Sequence, residues 1–252
     1  MGRFAITGAA SGLGATTRRL LEKNGHDVVG VDVRDVEIEA DLGTDAGRQA
    51  AVAAVRESGP LDGLVVAAGL GPQHSDPRAV ASVNYYGAIA VLDGLRDTLA
   101  AGTAPAAVAV CSNSATIPGA VDHDFVEVYL AGDEAAARDK ATEWGGVFAY
   151  ASSKRALARA VRLRAQEWGE AGVRLNGIAP GPFKSPMLEG LLADEQTGPL
   201  MDGFPIPLGR YGEIDEVAQV IVFLLSPEAS FVHAAIWWAD GGSDALYNPD
   251  IR

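Results

Sequence analysis

Thr7-Gly8-Ala9-Ala10-Ser11-Gly12-Leu13-Gly14 follows a short apolar run, Arg3 to Thr7, and opens a segment with helical spacing of apolar residues, Gly14 to Asn24. Glycines allow a sharp turn and a close backbone approach to a ligand, and a helix N-terminus presents unpaired N–H groups to an anion. The spacing of Gly8, Gly12 and Gly14 is wider than the common G-x-G-x-x-G, so the signal lies in the context, with a strand before the turn and a helix after it. The stretch predicts a phosphate cradle made by Gly8, Ser11, Gly12, Leu13 and Gly14 at the carboxyl end of a first strand.

The same alternation continues along the chain. Strands are predicted at Arg3 to Thr7, Asp27 to Asp32, Gly63 to Ala67, Ala106 to Ser112, Arg174 to Ala179 and Ala235 to Trp238. Between them, helices are predicted at Gly14 to Asn24, Asp45 to Ser58, Ala79 to Ala100, Tyr150 to Ala171 and Ile214 to Leu225. Strands separated by helices imply right-handed crossovers and an α/β, doubly wound parallel sheet of Rossmann-like form, with 1–252 as a single domain. Two stretches interrupt the rhythm, an insertion at about 115–147 and a segment at about 183–210. Both follow strand ends, where ligands of such sheets bind, so each is a candidate pocket wall and the second a candidate substrate lid.

Composition narrows the function classes. The net charge of −13 disfavours nucleic acid and anionic lipid as partners, because both are normally bound through basic patches. No apolar run approaches the roughly 20 residues of a membrane span. Cys111 is the single cysteine and no charged-then-apolar leader precedes the first strand, which reads as a cytoplasmic protein. Nothing in the sequence calls for a metal.

The second strand ends on Asp32, where a carboxylate accepts hydrogen bonds from both ribose hydroxyls of an adenosine and repels a 2′-phosphate, so NAD(H) is expected over NADP(H). Arg34 is the dissenting residue, read here as solvated surface. Further on, Tyr150-Ala151-Ser152-Ser153-Lys154 places a phenol and an ammonium one helical turn apart on one face. A phenol with an ordinary pKa of about 10 needs a nearby positive charge to serve as a base near neutrality, and Lys154 supplies one.

With the glycine turn, these residues resemble the short-chain dehydrogenase/reductase family over essentially the whole chain. Asp41-Leu42, Val83-Asn84-Tyr85-Tyr86-Gly87 and Asn176-Gly177-Ile178-Ala179-Pro180-Gly181 also match family motifs. The resemblance implies an NAD(H)-dependent oxidoreductase that interconverts an alcohol and a carbonyl. It implies Tyr150 as proton donor and acceptor, Lys154 as its partner, Ser112 bonded to the substrate oxygen, and Asn84 holding a water linked to Lys154. Ser112 is preferred to Ser114, although strand alternation points both to one side. By the same resemblance Asp41 and Leu42 touch the adenine, and Ile178 and Ser185 lie beside the nicotinamide.

The chain departs from the family in two places. Val66-Ala67-Ala68-Gly69 stands where the family carries Asn-Asn-Ala-Gly, which predicts altered local packing with Gly69 still permitting close backbone approach. Ser112 and Tyr150 are also much farther apart in sequence than the resemblance implies. The insertion between them is expected to wall the substrate pocket or to cover the helix face used for subunit pairing, which changes the interface of a homodimer or homotetramer. Together with Glu167 to Asn176, Ala68 to Gln73 and Gly30 to Asp35, it resembles a bacterial branch of hydroxysteroid dehydrogenases and carbonyl reductases. That branch implies bulky apolar substrates such as 3-hydroxy and 3-keto steroids. Phe183, Met187, Leu188, Leu191, Leu192 and Met201 could form an apolar lid over them. The same chemistry on terpene alcohols or other small carbonyls, and an NAD(H) sensor without turnover, are the competing readings.

Overall fold

The computed structural model describes residues 1–250. Seven strands, β1 (Arg3–Thr7), β2 (Asp27–Asp32), β3 (Ile38–Glu39), β4 (Gly63–Val66), β5 (Ala106–Val110), β6 (Arg174–Pro180) and β7 (Ile236–Ala239), form one parallel sheet in the order β3-β2-β1-β4-β5-β6-β7. The order reverses between β1 and β4, which opens a crevice outside the carboxyl ends of those strands. Thr7, Asp32, Val66 and Val110 end their strands around it.

The helices are α1 (Gly12–Lys23), α2 (Asp45–Glu57), α3 (Pro77–Ala81), α4 (Ala88–Ala100), α5 (His123–Leu130), α6 (Glu134–Trp144) and α7 (Gly146–Leu163). They continue as α8 (Ala165–Glu170), α9 (Pro186–Ala193), α10 (Gly198–Met201), α11 (Ile214–Leu225) and α12 (Ser243–Tyr247). Successive side chains of a strand point to opposite faces, and both faces here are buried. Leu64 and Val66 of β4 enter the core shared with α2, α4 and α7, whereas Val65 enters the core shared with α1 and α11. This is the doubly wound, Rossmann-like sheet expected.

Several local expectations are corrected. Ile38–Glu39 adds a strand too short to show a period. The helix expected over Ala79 to Ala100 starts at Pro77 and is interrupted by a π-helical turn, Ser82–Gly87, that carries Asn84. The Tyr150 helix begins a turn earlier, at Gly146, where Gly145 takes φ 83°, and it breaks at Arg164 before α8. Strand β5 stops at Val110, so Ser112 lies just beyond it as the N-cap of a 3-10 turn, Asn113–Thr116.

The insertion is a packed helical pair. Phe125 and Tyr129 of α5 are fully buried, their rings stacked at 4.7 Å, and the Tyr129 hydroxyl donates to the Ala149 carbonyl of α7 at 3.2 Å. Tyr129 also leans on Tyr85 with ring centroids 5.1 Å apart. Glu127 pairs with Arg159 on α7, so α5 and α6 lie against the outer side of that helix. The Asn-Asn-Ala-Gly departure is compensated at Thr7, whose hydroxyl accepts the backbone N–H of both Ala67 and Ala68 at 3.1 Å.

Candidate active site

The glycine turn has the shape of an anion cradle. Gly8 and Gly12 take φ 72° and 54°, in the left-handed region that favours glycine. A Cβ on Gly14 would lie 2.1 Å from the Gly8 carbonyl oxygen, whereas a Cβ on Gly12 would meet nothing within 4 Å. The turn is therefore closed from below and open above. The Ser11 side chain makes no cap hydrogen bond and the first turn of α1 carries no acidic residue, so the helix N-terminus keeps its donors for a ligand. A pyrophosphate fits these donors.

Asp32 is held beside this turn, its carboxylate accepting the Ala10 N–H at 3.0 Å and the Val33 N–H at 2.7 Å. Arg34 is exposed and pairs with Asp35 at 3.7 Å, which agrees with its reading as surface. Asp41 is exposed and accepts the Gly43 N–H at 2.8 Å, while the Leu42 side chain is buried in the core. Across the crevice, Ser185 caps α9 by accepting the Leu188 N–H at 3.3 Å. A cleft of about 490 Å³ runs between Gly12, Thr16 and Arg19 of α1 and Lys184, Ser185 and Glu189 of the lid segment.

Ile178, expected beside the nicotinamide, lies near the end of β6 next to Cys111. Its side chain is fully buried in the α1/α11 core, and its carbonyl accepts the Cys111 N–H at 2.8 Å. The strand is buried on both faces, so the motif alone does not tell which of its residues opens onto the crevice. Ser185 lines the cleft between α1 and the lid segment.

Lys154, Tyr150, Ser112 and Asn84 do converge. Lys154 is 4% exposed, donates to the Val110 carbonyl at 2.8 Å, and lies 5.9 Å from the centre of the Tyr150 ring. Burial holds its ammonium down to about 8. Burial also pushes the Tyr150 phenol above its ordinary value, opposed by a hydrogen bond with Ser112. Tyr85 is pushed up to about 12, and Tyr129 higher, chiefly by burial and without a hydroxyl partner of this kind. Cys111, beside the site, is a buried neutral thiol raised to about 12.

The choice between the two serines resolves into a relay. Ser114 donates its hydroxyl to Ser112 Oγ at 3.0 Å and its backbone N–H to the same atom at 3.2 Å, while Ser112, the more buried of the two, is the hydroxyl that draws the Tyr150 phenol down. Ser112 is thus the inner hydroxyl and Ser114 orients it, a support that the sequence reading missed. Asn84 also differs in detail. Its side-chain amide is spent on Leu70, accepting the N–H at 2.8 Å and donating to the carbonyl at 3.0 Å. A Cβ on Gly69 would lie 3.3 Å from Asn84 Oδ1 and 3.5 Å from Lys154 Nζ, so this glycine admits both side chains.

A parallel sheet with an anion cradle at its switch point and a Ser-Tyr-Lys cluster a few strands away defines a nucleotide-dependent oxidoreductase class. Comparison with known proteins gives the same answer. A model of the NAD dependent epimerase/dehydratase family matches residues 4–183, and one of enoyl-(acyl carrier protein) reductases matches residues 140–244. The chain is 48% identical to the 3-alpha-hydroxysteroid dehydrogenase/carbonyl reductase of Comamonas testosteroni, over 99% of both chains. It is 31% identical to the coniferyl-alcohol dehydrogenase of Pseudomonas sp. (strain HR199 / DSM 7063), over 97% of both. The crystal structure of the 3-alpha-hydroxysteroid dehydrogenase from Pseudomonas sp. B-0831 complexed with NADH superposes with a TM-score of 0.95 at 46% identity, over 99% of this chain and 100% of that one. The chain belongs to the short-chain dehydrogenase/reductase family. Among the described residues no helix is long and apolar enough to cross a membrane.

Proposed function

We propose that the protein is an NAD(H)-dependent oxidoreductase interconverting secondary alcohols and ketones, with bulky apolar compounds such as 3-hydroxy and 3-keto steroids as its substrates. The observation that carries the reading is the convergence of Ser112, the partly buried Tyr150 and the buried Lys154 beside an open anion cradle. When bound, the nicotinamide supplies or accepts a hydride at C4. Gly8, Ser11, Gly12, Leu13 and Gly14 hold the pyrophosphate, Asp32 the adenosine ribose, Asp41 and Leu42 the adenine, and Gly69 and Ser185 the nicotinamide side. Ser112, steadied by Ser114, hydrogen-bonds the substrate oxygen. Tyr150 donates its proton to that oxygen as a ketone is reduced and takes it back as an alcohol is oxidised. Lys154 holds Tyr150 in a positive field, and the Asn84 turn provides the route by which protons are exchanged with solvent. Hydrogen bonds placed in advance around the developing alkoxide contribute most of the catalysis.

The lid supports an apolar substrate. Met187, Leu192 and Leu200 are exposed on α9 and α10, and burying them against a ligand stabilises closure by about 25 cal/mol per Å² of apolar surface covered. Gln73 donates to the Met187 carbonyl at 3.3 Å and so joins the loop after β4 to the lid. The similarity to a hydroxysteroid dehydrogenase over the whole chain, insertion included, favours steroids over terpene alcohols or small carbonyls. Retention of Asn84, Ser112, Tyr150 and Lys154 in one cluster argues against a sensor without turnover.

Substituting Asp32 with Ala removes the ribose acceptor and the charge that repels a 2′-phosphate. The ratio of kcat/KM for NADH to that for NADPH is expected to fall by about tenfold or more. A parent enzyme that already prefers NADPH would contradict this assignment. We also propose that the protein is a homo-oligomer. Because α5 and α6 cover the outer side of α7, subunits pair through another face, and light scattering is expected to give a dimer; a tetramer joined through α7 would rule this out.

A further inference from the structure

Arg48, on α2, is 5% exposed and lies outside the cluster that carries the chemistry. Its guanidinium meets three separate segments. It donates to the Leu42 carbonyl at 2.8 Å and the Gly43 carbonyl at 3.4 Å, in the loop after β3, and to the Ser82 carbonyl at 3.4 Å, at the start of the π-helical turn. Its two terminal nitrogens also take both carboxylate oxygens of Glu134, in the first turn of α6, at 2.6 and 2.7 Å, Nη2 sharing its hydrogens between Glu134 and the two longer carbonyl contacts. A second bond runs beside it, from Arg138 of α6 to Ser82 Oγ at 2.8 Å. The loop and the turn also touch directly, since a Cβ on Gly87 would sit 3.0 Å from the Leu42 side chain and one on Gly43 would sit 3.3 Å from Val83.

We propose that Arg48 and Glu134 form a positioning pair through which the inserted helices set the affinity for NAD(H), by fixing the Asp41–Gly43 loop against the turn that carries Asn84. A planar fork of five donors satisfies three carbonyls and a carboxylate at once, which a lysine cannot do. A buried guanidinium that loses its carboxylate is left uncompensated, so it shifts, and the loop carbonyls that it holds shift with it. The insertion is in this way part of the cofactor site without touching the cofactor. The inference rests on the reading that Asp41 and Leu42 contact the adenine.

Glu134→Gln preserves shape and removes the charge. NADH affinity, followed by its fluorescence on binding, and KM for NADH are expected to worsen by about tenfold, with kcat at saturating NADH within about twofold and KM for a ketosteroid unchanged. Arg48→Lys should behave like Glu134→Gln, since it cannot restore the fork. Glu127→Gln removes an ion pair to Arg159 from the same insertion without touching the loop, and should leave NADH affinity unaltered. Asp41→Ala, measured in parallel, reports on the adenine reading. If Asp41→Ala weakens NADH binding and Glu134→Gln does not, the positioning role is wrong and the site reading stands. Should neither variant weaken it, both fail. A fall in kcat at unchanged NADH affinity, or an equal loss in Glu127→Gln, also overturns the inference.

Discussion

Replacing Tyr150 with Phe is expected to lower turnover by about a hundredfold or more in both directions, with NADH affinity held within about threefold. The variant removes one hydroxyl, and the ring, 5.9 Å from Lys154, stays in its pocket. The lost atom is the proposed proton donor, so the substrate oxygen loses its proton partner and the cradle is untouched. Rate profiles carry a second signature of the same group. Burial raises the phenol above its ordinary value, so ketone reduction, which needs the protonated form, should stay level through neutral pH. Alcohol oxidation needs the phenolate and should climb as pH rises, and that climb should vanish in Tyr150→Phe. Initial rates in both directions across pH test this, and a climb that persists without the hydroxyl would assign it to another group.

Lys154→Ala is expected to damage both turnover and NADH affinity, the first by about a hundredfold and the second by about tenfold, because the ammonium lies between the tyrosine, Gly69 and the end of β5. The same residue is expected to weaken the fold. Its ammonium, at about 8 against an ordinary 10.5, is disfavoured in the folded chain. Between those two values the unfolded chain binds more protons, so this group makes stability rise with pH across that window and costs about 3 kcal/mol below it. Lys154→Met removes that cost and the bond to the Val110 carbonyl together. It should melt no lower than the parent at pH 7, and the rise in stability between pH 8 and 10.5 should flatten. Thermal melts at the two ends of that range check it. A variant melting much lower at pH 7 would show that the lysine stabilises the fold.

The order of strands and helices was legible because a parallel sheet buried on both faces writes itself as short apolar runs between helical segments. The cradle was legible because Gly8 and Gly14 sit where the backbone leaves no room for a side chain. Other features left no such trace. A single π-helical turn at Ser82–Gly87 changes the helical period over too few residues to be seen beside α4. Ile178 follows the family motif, yet which residue of a doubly buried strand opens onto a crevice depends on where the strand ends. In sequence Ser114 reads as a rival of Ser112, whereas the 3-10 turn makes it a donor to Ser112. Arg48 reads as an ordinary residue of a surface helix, since its carboxylate partner is 86 residues away and its other partners are backbone carbonyls, which any sequence supplies. The insertion's length and helical composition were visible, whereas its packing against α7 needed the buried faces of Phe125 and Tyr129.

The most direct test is turnover itself, followed at the nicotinamide absorbance, with NADH and a 3-ketosteroid in one direction and NAD and a 3α-hydroxysteroid in the other. Simple aromatic ketones and terpene alcohols serve as comparisons. The account predicts turnover in both directions, greatest with steroids and bulky ketones and lost in Tyr150→Phe. Tight binding of NADH with no turnover on any of these classes would contradict it.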